Sequence, residues 1–191
     1  SLAISAPLAA GSLEDAVKGE HRSEQNKARD QFRKPVETLN FLGLEEDMKV
    51  VEIWPGGGWY SEILAPVLRD KGQFIAAQYD MNGPYRYQRG SLGTFFTKMA
   101  KHSKVFNKVK VVEYSLPYKL QLTEPGTADM VLTFRNVHNL VADLYGGGAY
   151  ADLAFSSWFD ALKPGGVLGI VDHRWPDAAN EDPKAANGYI S

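Results

Sequence analysis

Apolar and polar positions along this chain follow two periods. Val50 to Ile53, Gln73 to Tyr79, Val109 to Tyr114, Met130 to Phe134 and Val167 to Val171 are short, nearly continuous apolar runs of strand length. Such runs predict strands buried on both faces of a parallel sheet. Stretches with helical spacing lie between them. Val36, Leu39, Phe41 and Leu42 follow Pro35 and close at Gly43, a proline start and a glycine stop. Trp59 to Leu68 and about Ser91 to Lys104 predict two more helices, and Tyr150 to Leu162 carries Leu153, Ala154, Trp158 and Leu162 on one side. Turns are marked by Asp70-Lys71-Gly72, Asn82-Gly83-Pro84 and Lys163-Pro164-Gly165-Gly166, and Gly146-Gly147-Gly148 predicts a flexible break. Alternation of this kind predicts an α/β domain with a doubly wound, mostly parallel sheet.

The most informative run is Lys49 to Ser61, where a strand containing Glu52 passes through Trp54 and Pro55 into Gly56-Gly57-Gly58. Glycine is required where backbone turns sharply or touches a ligand, and a helix starting there turns free N–H groups toward the crevice. In open parallel sheets ligands sit beyond the carboxyl ends of the strands, where the strand order reverses. Glu52, Asp80, Ser115, Arg135 and Asp172 fall at such ends.

Four stretches give the chain a resemblance to class I S-adenosylmethionine-dependent methyltransferases, over roughly residues 35 to 174. Glu52-Ile-Trp-Pro-Gly-Gly-Gly58 stands where those enzymes have an acid followed by spaced glycines. The second strand ends near Asp80. Ala128 to Phe134 runs into Arg135-Asn136-Val-His138, and Leu162-Lys-Pro-Gly-Gly166 precedes the fifth strand. Within that superfamily the chain resembles a bacterial group of uncharacterised predicted methyltransferases. The resemblance implies a Rossmann-like methyltransferase fold, S-adenosylmethionine as cofactor and a small-molecule acceptor. It implies that Glu52 organises the amino-acid end of the cofactor, with Trp54, Gly56, Gly57, Gly58, Tyr60, Gln78, Tyr79, Asp80 and Ser115 around it. An acid at the end of the second strand would hold both ribose hydroxyls. Gln78 occupies the usual position with Asp80 two residues on, and alternation points both to the same side. Trp54 replaces the first glycine of the pattern, and it either walls the pocket or fills it. Only five of the superfamily's seven strands are expected, so either this chain is a truncated or partly ordered version or the fifth strand is an edge that a second copy can pair with.

Composition narrows the chemistry. A length of 191 residues fits one domain, and a net charge of −2 gives no reason to expect nucleic acid or an anionic membrane surface as partner. The absence of Cys excludes disulfides and thiolate nucleophiles, and the four histidines lack metal-type spacing, so no metal is expected. No apolar run is long enough to cross a bilayer. His138 and His173 are candidate bases, with Arg135 and Asn136 as candidates for orienting an acceptor. Residues 13–34 form a polar helical segment. Its charged part from Glu20 to Lys34 is either a solvated face or a lid bringing His21 and Arg22 over the crevice. Domain residues 35–191 follow. Residues 1–12 are small and apolar, matching either the tail of a signal peptide, which implies export to the periplasm, or a disordered terminus, which leaves the protein cytoplasmic. A cytoplasmic methyl donor and an exported protein sit awkwardly together. A non-catalytic or repurposed binding domain on the same fold therefore stands as the alternative.

Overall fold

The computed structural model describes residues 12–143, 146–176, 180–182 and 184–190; the expected leader remnant, apart from Ser12, lies outside them. Five strands are described: β1 (Lys49–Ile53), β2 (Gln73–Gln78), β3 (Lys110–Glu113), β4 (Ala128–Phe134) and β5 (Leu162–Val171). They form one sheet in the order β3-β2-β1-β4-β5, every neighbouring pair parallel. The chain winds outward from β1 through β2 to β3, then crosses back to β4 on the other side of β1. That reversal opens a crevice at the carboxyl ends of β1 and β4.

Successive residues of β1 serve opposite faces. Val50 packs with Leu39, Ile63, Leu64, Phe95 and Phe106, from the helices α4 (Pro35–Phe41), α5 (Ser61–Val67), α6 (Arg86–Lys101) and α7 (Ser103–Phe106). Val51 and Ile53 pack with Ile75, Ala77, Val131 and Trp158, the last from α9 (Ala151–Ala161). Each large side chain fully buried this way contributes about 1.5–3 kcal/mol, which is why both faces read as apolar. The N-terminal segment breaks into three short helices, α1 (Leu13–Lys18), α2 (Glu24–Lys27) and α3 (Asp30–Arg33). Leu13, Ala16 and Val17 dock α1 on the core beside α5.

Two elements differ from the sequence expectation. Helix α6 starts five residues before Ser91, because the Asn82-Gly83-Pro84 turn delivers the chain directly into it. Gly90 and Gly93, which lower helix propensity by about 1 kcal/mol each, hide that start. The Lys163-Pro164-Gly165-Gly166 turn is a bulge inside β5 rather than a loop before it. Leu162 already pairs with Ala128, and the register shifts before Val167 meets Met130. Lys163 closes the bulge by an ion pair to Asp129, whose other oxygen accepts from the Lys49 amide at 2.6 Å. β5 ends the strand order, with Val167 and Ile170 38% and 40% exposed. Beyond it, Arg174 forms a parallel bridge with Ile190. A short α8 (Val137–Val141) follows β4, and no described helix is long and apolar enough to cross a membrane.

Glycines in this frame are not equivalent. An added Cβ at Gly90 meets nothing within 4 Å, whereas one at Gly72 lands on the Met48 carbonyl oxygen and 2.8 Å from that of Glu46. Gly90→Ala is expected to stabilise the protein by about 0.5–1 kcal/mol. Gly72→Ala should cost about 1–3 kcal/mol. Urea unfolding of the two variants decides this; equal midpoints would contradict the packing described.

Candidate functional site

At the end of β1 the chain turns abruptly. Trp54 adopts a left-handed backbone (φ +45°), and Gly56 (φ +59°) and Gly58 (φ +76°) do the same before α5 begins. A tryptophan in that region costs on the order of 1 kcal/mol or more and needs external support. The Trp54 amide donates to the Ala77 carbonyl at 2.8 Å, and its indole Nε1 donates to the Tyr114 carbonyl at 3.0 Å. The ring stacks on Tyr79 (5.8 Å) and tilts against Tyr114 (5.5 Å). The indole therefore fills the crevice toward β3 and leaves the glycine turn open. Gln78 Nε2 donates to the Gly56 carbonyl at 2.6 Å and Lys98 Nζ to that of Gly58 at 3.1 Å, so the turn is held from both sides. The amides of Gly56 and Gly57 meet no acceptor among the described residues.

Above this turn lies a hollow of about 840 Å³, floored by Glu52, Trp54 and Pro55 to Gly57, and walled by Tyr79, Tyr87, Thr94 and Lys98. Its roof is the N-terminal segment, with His21, Arg22, Asn26 and Arg33 facing inward. Of the two expectations for Glu20 to Lys34, the lid fits the geometry. Its anchor is Glu62, a carboxylate only 2% exposed on the first turn of α5. Asn26 Nδ2 donates to both Glu62 oxygens at 2.9 and 3.0 Å, Lys98 Nζ lies 2.6 Å from one, and Arg22 Nε lies 3.5 Å from the other. His21 Nε2 donates to the Glu62 carbonyl at 2.6 Å, and burial lowers its pKa below the ordinary value. Arg22 is itself fully enclosed and binds Asp30 through two bonds of 2.7 and 2.8 Å. Trp59 carries the guanidinium of Arg22 at 4.9 Å and that of Arg33 at 4.4 Å from its ring centroid.

Glu52 is fully buried and accepts a hydrogen bond from Ser61 Oγ at 2.6 Å. Burial pushes its pKa from 4.5 up to about 7, against the lowering effects of Ser61 and Lys98. The folded protein therefore holds an extra proton between pH 4.5 and about 7, and the stability this gives is lost as pH rises through that window. Tyr60 stacks on Phe134 at 3.5 Å, and burial pushes its hydroxyl up to about 12.

The far end of the hollow is built by the loop after β4. Arg135 (φ +62°) donates from Nε to His173 Nε2 at 2.8 Å. Asn136 donates to the Ile53 carbonyl and to Thr133 Oγ1, tying this loop to β1. His138 Nδ1 lies 2.8 Å from Asp172 Oδ1, and its amide donates to Asp172 Oδ2 at 3.1 Å.

Of the residues singled out from sequence, Glu52, Trp54, Gly56, Gly57, Tyr60, Tyr79, Arg135, Asn136 and His138 line the hollow. Gly58 lies beneath it, where an added Cβ would meet the Phe95 ring at 2.8 Å. Gln78 is spent on Gly56 and on the Tyr79 amide. Asp80 is paired with Lys119 at 2.7 Å, which holds its pKa low, and does not line the hollow. Ser115 pairs with Lys119 through backbone and lies beyond the Trp54 ring. His173 stands behind Arg135. The sequence reasoning missed Glu62, Asn26, Arg33 and Lys98. Glu62 carried a signal, being an acid directly before the apolar run Ile63 to Leu68, and buried acids require partners.

The Glu62 network generates a test. Glu62→Ala leaves buried Arg22 and partly buried Lys98 short of a counterion and is expected to cost about 3–5 kcal/mol, lowering Tm by roughly 6–20 °C at this size. Hydrogen exchange should show residues 13–34 opening before β1 does. Unchanged protection there would contradict the anchoring role.

No protein-family model and no curated protein sequence matches the chain. Solved structures do. An S-adenosylmethionine-dependent methyltransferase from Aquifex aeolicus superposes with a TM-score of 0.60 at 18% identity, covering 95% of this chain and 82% of that one. An S-adenosylmethionine-dependent O-methyltransferase from Thermotoga maritima gives 0.51 at 15% identity, covering 88% and 52%. The [4+2]-cyclase SpnF gives 0.52 at 16%, covering 83% and 54%. The chain thus spans about half the length of the latter two. At these identities the likeness is one of architecture. With its parallel β3-β2-β1-β4-β5 sheet and glycine turn at the switch point, the chain has the fold of class I S-adenosylmethionine-dependent methyltransferases.

Proposed function

We propose that this protein is an S-adenosylmethionine-dependent methyltransferase acting on a small-molecule acceptor. The observation that carries this is the unfilled glycine turn at the switch point, opening on a hollow of about 840 Å³ with buried Glu52 at its base. That volume falls within the roughly 300–1,000 Å³ of small-ligand sites. An added Cβ at Gly56 meets nothing within 4 Å, so the turn has room for a ligand against bare backbone. Glu52 has no cation in ion-pair contact among the described residues, because Lys98 is engaged by Glu62. A buried carboxylate of this kind suits an α-ammonium group. Gly56 and Gly57 would receive the amino-acid portion, and Tyr79 and Tyr87 would border the flat base. The cofactor would supply an electrophilic methyl group on a sulfonium. The protein's part is to seat it, orient the acceptor and keep water out beneath the lid.

A second reading has its own support. No free carboxylate faces a ribose here: Gln78 is an amide bonded to Gly56, and the Asp80 carboxylate is bound to Lys119. That favours a hollow repurposed for another ligand, as in a non-catalytic binding domain. Export to the periplasm and pairing of two copies along β5 belong to the proposal as well, resting on residues 1–12 and on the exposed edge.

Two measurements test the lead reading. Calorimetry with S-adenosylhomocysteine below pH 7 should show binding with proton release, since an ammonium group beside Glu52 favours its ionised form. Glu52→Gln should abolish the release. No binding at millimolar ligand would favour the second reading. Gly57→Leu is the sharper block, because the added Cβ meets only Thr94 Cγ2 at 3.4 Å. It should fold normally and weaken binding at least about tenfold; retained affinity would show that the seat lies elsewhere. Without ligand, Glu52→Gln should gain up to about 3 kcal/mol on the wild type between pH 4.5 and 8, at about 1.4 kcal/mol per pKa unit. Parallel pH–stability curves would contradict the buried-acid assignment.

A further inference from the structure

Five Lys and Arg side chains line the described part of the hollow, Lys101 at the end of α6 among them, and they are not neutralised alike. Arg22 is bound to Asp30, and Lys98 to Glu62. Arg33, at the end of α3, and Arg135, just past β4, have no carboxylate within ion-pair distance among the described residues. The Arg33 guanidinium lies over the Trp59 ring, 4.4 Å from its centroid. Arg135 spends Nε on His173, which leaves both terminal nitrogens for a guest. Burial lowers the pKa of the Arg33 guanidinium, and the charges of Arg29 and then Arg135 add to this.

The nearby carboxylate, Asp172, is already committed. Its Oδ1 accepts from His138 Nδ1 and from the His173 amide, each at 2.8 Å, and its Oδ2 accepts from the His138 amide. Because Nδ1–H donates to Asp172, the neutral His138 carries its lone pair on Nε2. That nitrogen has no hydrogen-bond partner among the described residues, and His138 lines the hollow. Two uncompensated guanidiniums and an imidazole with a free lone pair thus meet at one end of the cavity. Partly buried like charges are unfavourable until an anion arrives, and guanidinium forks match carboxylate and phosphate oxygens.

We propose that Arg33, Arg135 and the His138–Asp172 pair form the acceptor subsite, built for a small molecule that carries a carboxylate or phosphate and a hydroxyl nucleophile. This rests on the methyltransferase reading above. The guanidiniums hold the anion and set the hydroxyl beside His138. As the hydroxyl oxygen bonds to the methyl carbon, the carbon–sulfur bond breaks with its electron pair going to sulfur. The hydroxyl proton passes to His138 Nε2. Asp172 is a positioning residue that fixes the tautomer and steadies the imidazolium.

The test separates the subsite from the reading beneath it. Calorimetry with S-adenosylhomocysteine is run first on the wild type, Arg33→Gln, Arg135→Gln and Asp172→Asn, all checked for folding by circular dichroism. Benzoate, inorganic phosphate and, as neutral control, benzyl alcohol are then titrated into the S-adenosylhomocysteine complex and followed by ¹H–¹⁵N spectra. One of the two anions should shift the Arg135 Nε signal. Each arginine variant should weaken that anion at least about tenfold while leaving S-adenosylhomocysteine affinity and the benzyl alcohol response unchanged. Which anion wins tells carboxylate from phosphate. Long-range ¹H–¹⁵N correlations at pH 8 should show His138 protonated on Nδ1 in the wild type, and that preference should be lost in Asp172→Asn. Binding of S-adenosylhomocysteine without any anion response, or anion binding indifferent to both arginines, overturns the subsite. An Nε2-protonated His138 overturns its role as base. Anion binding without S-adenosylhomocysteine binding overturns the acceptor assignment together with the reading it rests on.

Discussion

A single buried carboxylate, Glu62, joins the three parts from which the hollow is made. It sits on α5, directly after the glycine turn. It also holds Lys98 of α6 and Asn26 of the N-terminal segment, with Arg22 close by. Lys98 in turn reaches the Gly58 carbonyl. Floor, wall and roof therefore share one charge whose desolvation is offset only when all its partners are in place. Such an arrangement couples the lid to the cradle. The polar segment is kept over the crevice by hydrogen bonds as well as by the apolar contacts of α1.

The charges of the hollow are divided along its length. Glu52, held near neutrality by burial, lies under the turn, while Arg33 and Arg135 stand without carboxylate partners at the end of β4. A ligand with a cationic end and a second one with an anionic end would each meet its complement. Trp54 sets the limit on the β3 side, because its indole is fixed to the Tyr114 carbonyl and stacked on Tyr79. The crevice is narrowed on that side, and the hollow extends toward α6 and the N-terminal segment.

Much of the fold is legible in the chain because local signals agree there. Continuous apolar runs reveal the strands, and the glycine triplet after Glu52 places the switch point. Failures occur where contacts span long separations. Nothing near Glu62 in sequence announces Asn26 or Lys98, and Arg33 looks like one more charge in a charged segment. Gln78 and Asp80 are two residues apart, so periodicity cannot choose between them; in the fold Gln78 ends β2 bonded to Gly56, and Asp80 lies beyond the strand paired with Lys119. The start of α6 is masked by Gly90 and Gly93, whose helical state comes from tertiary packing around Leu92 and Phe95. The Lys-Pro-Gly-Gly stretch looks like a loop because its pairing partner, Ala128, is distant in sequence.

The account stands or falls on what occupies the space above Gly56 and Gly57. A crystal structure of the protein grown with S-adenosylhomocysteine answers it directly. The predicted result is ligand density over that turn, its amino group within about 3 Å of a Glu52 oxygen, with the Trp54 indole still bonded to Tyr114. Density elsewhere, or an indole swung across the turn with no ligand bound, would contradict it.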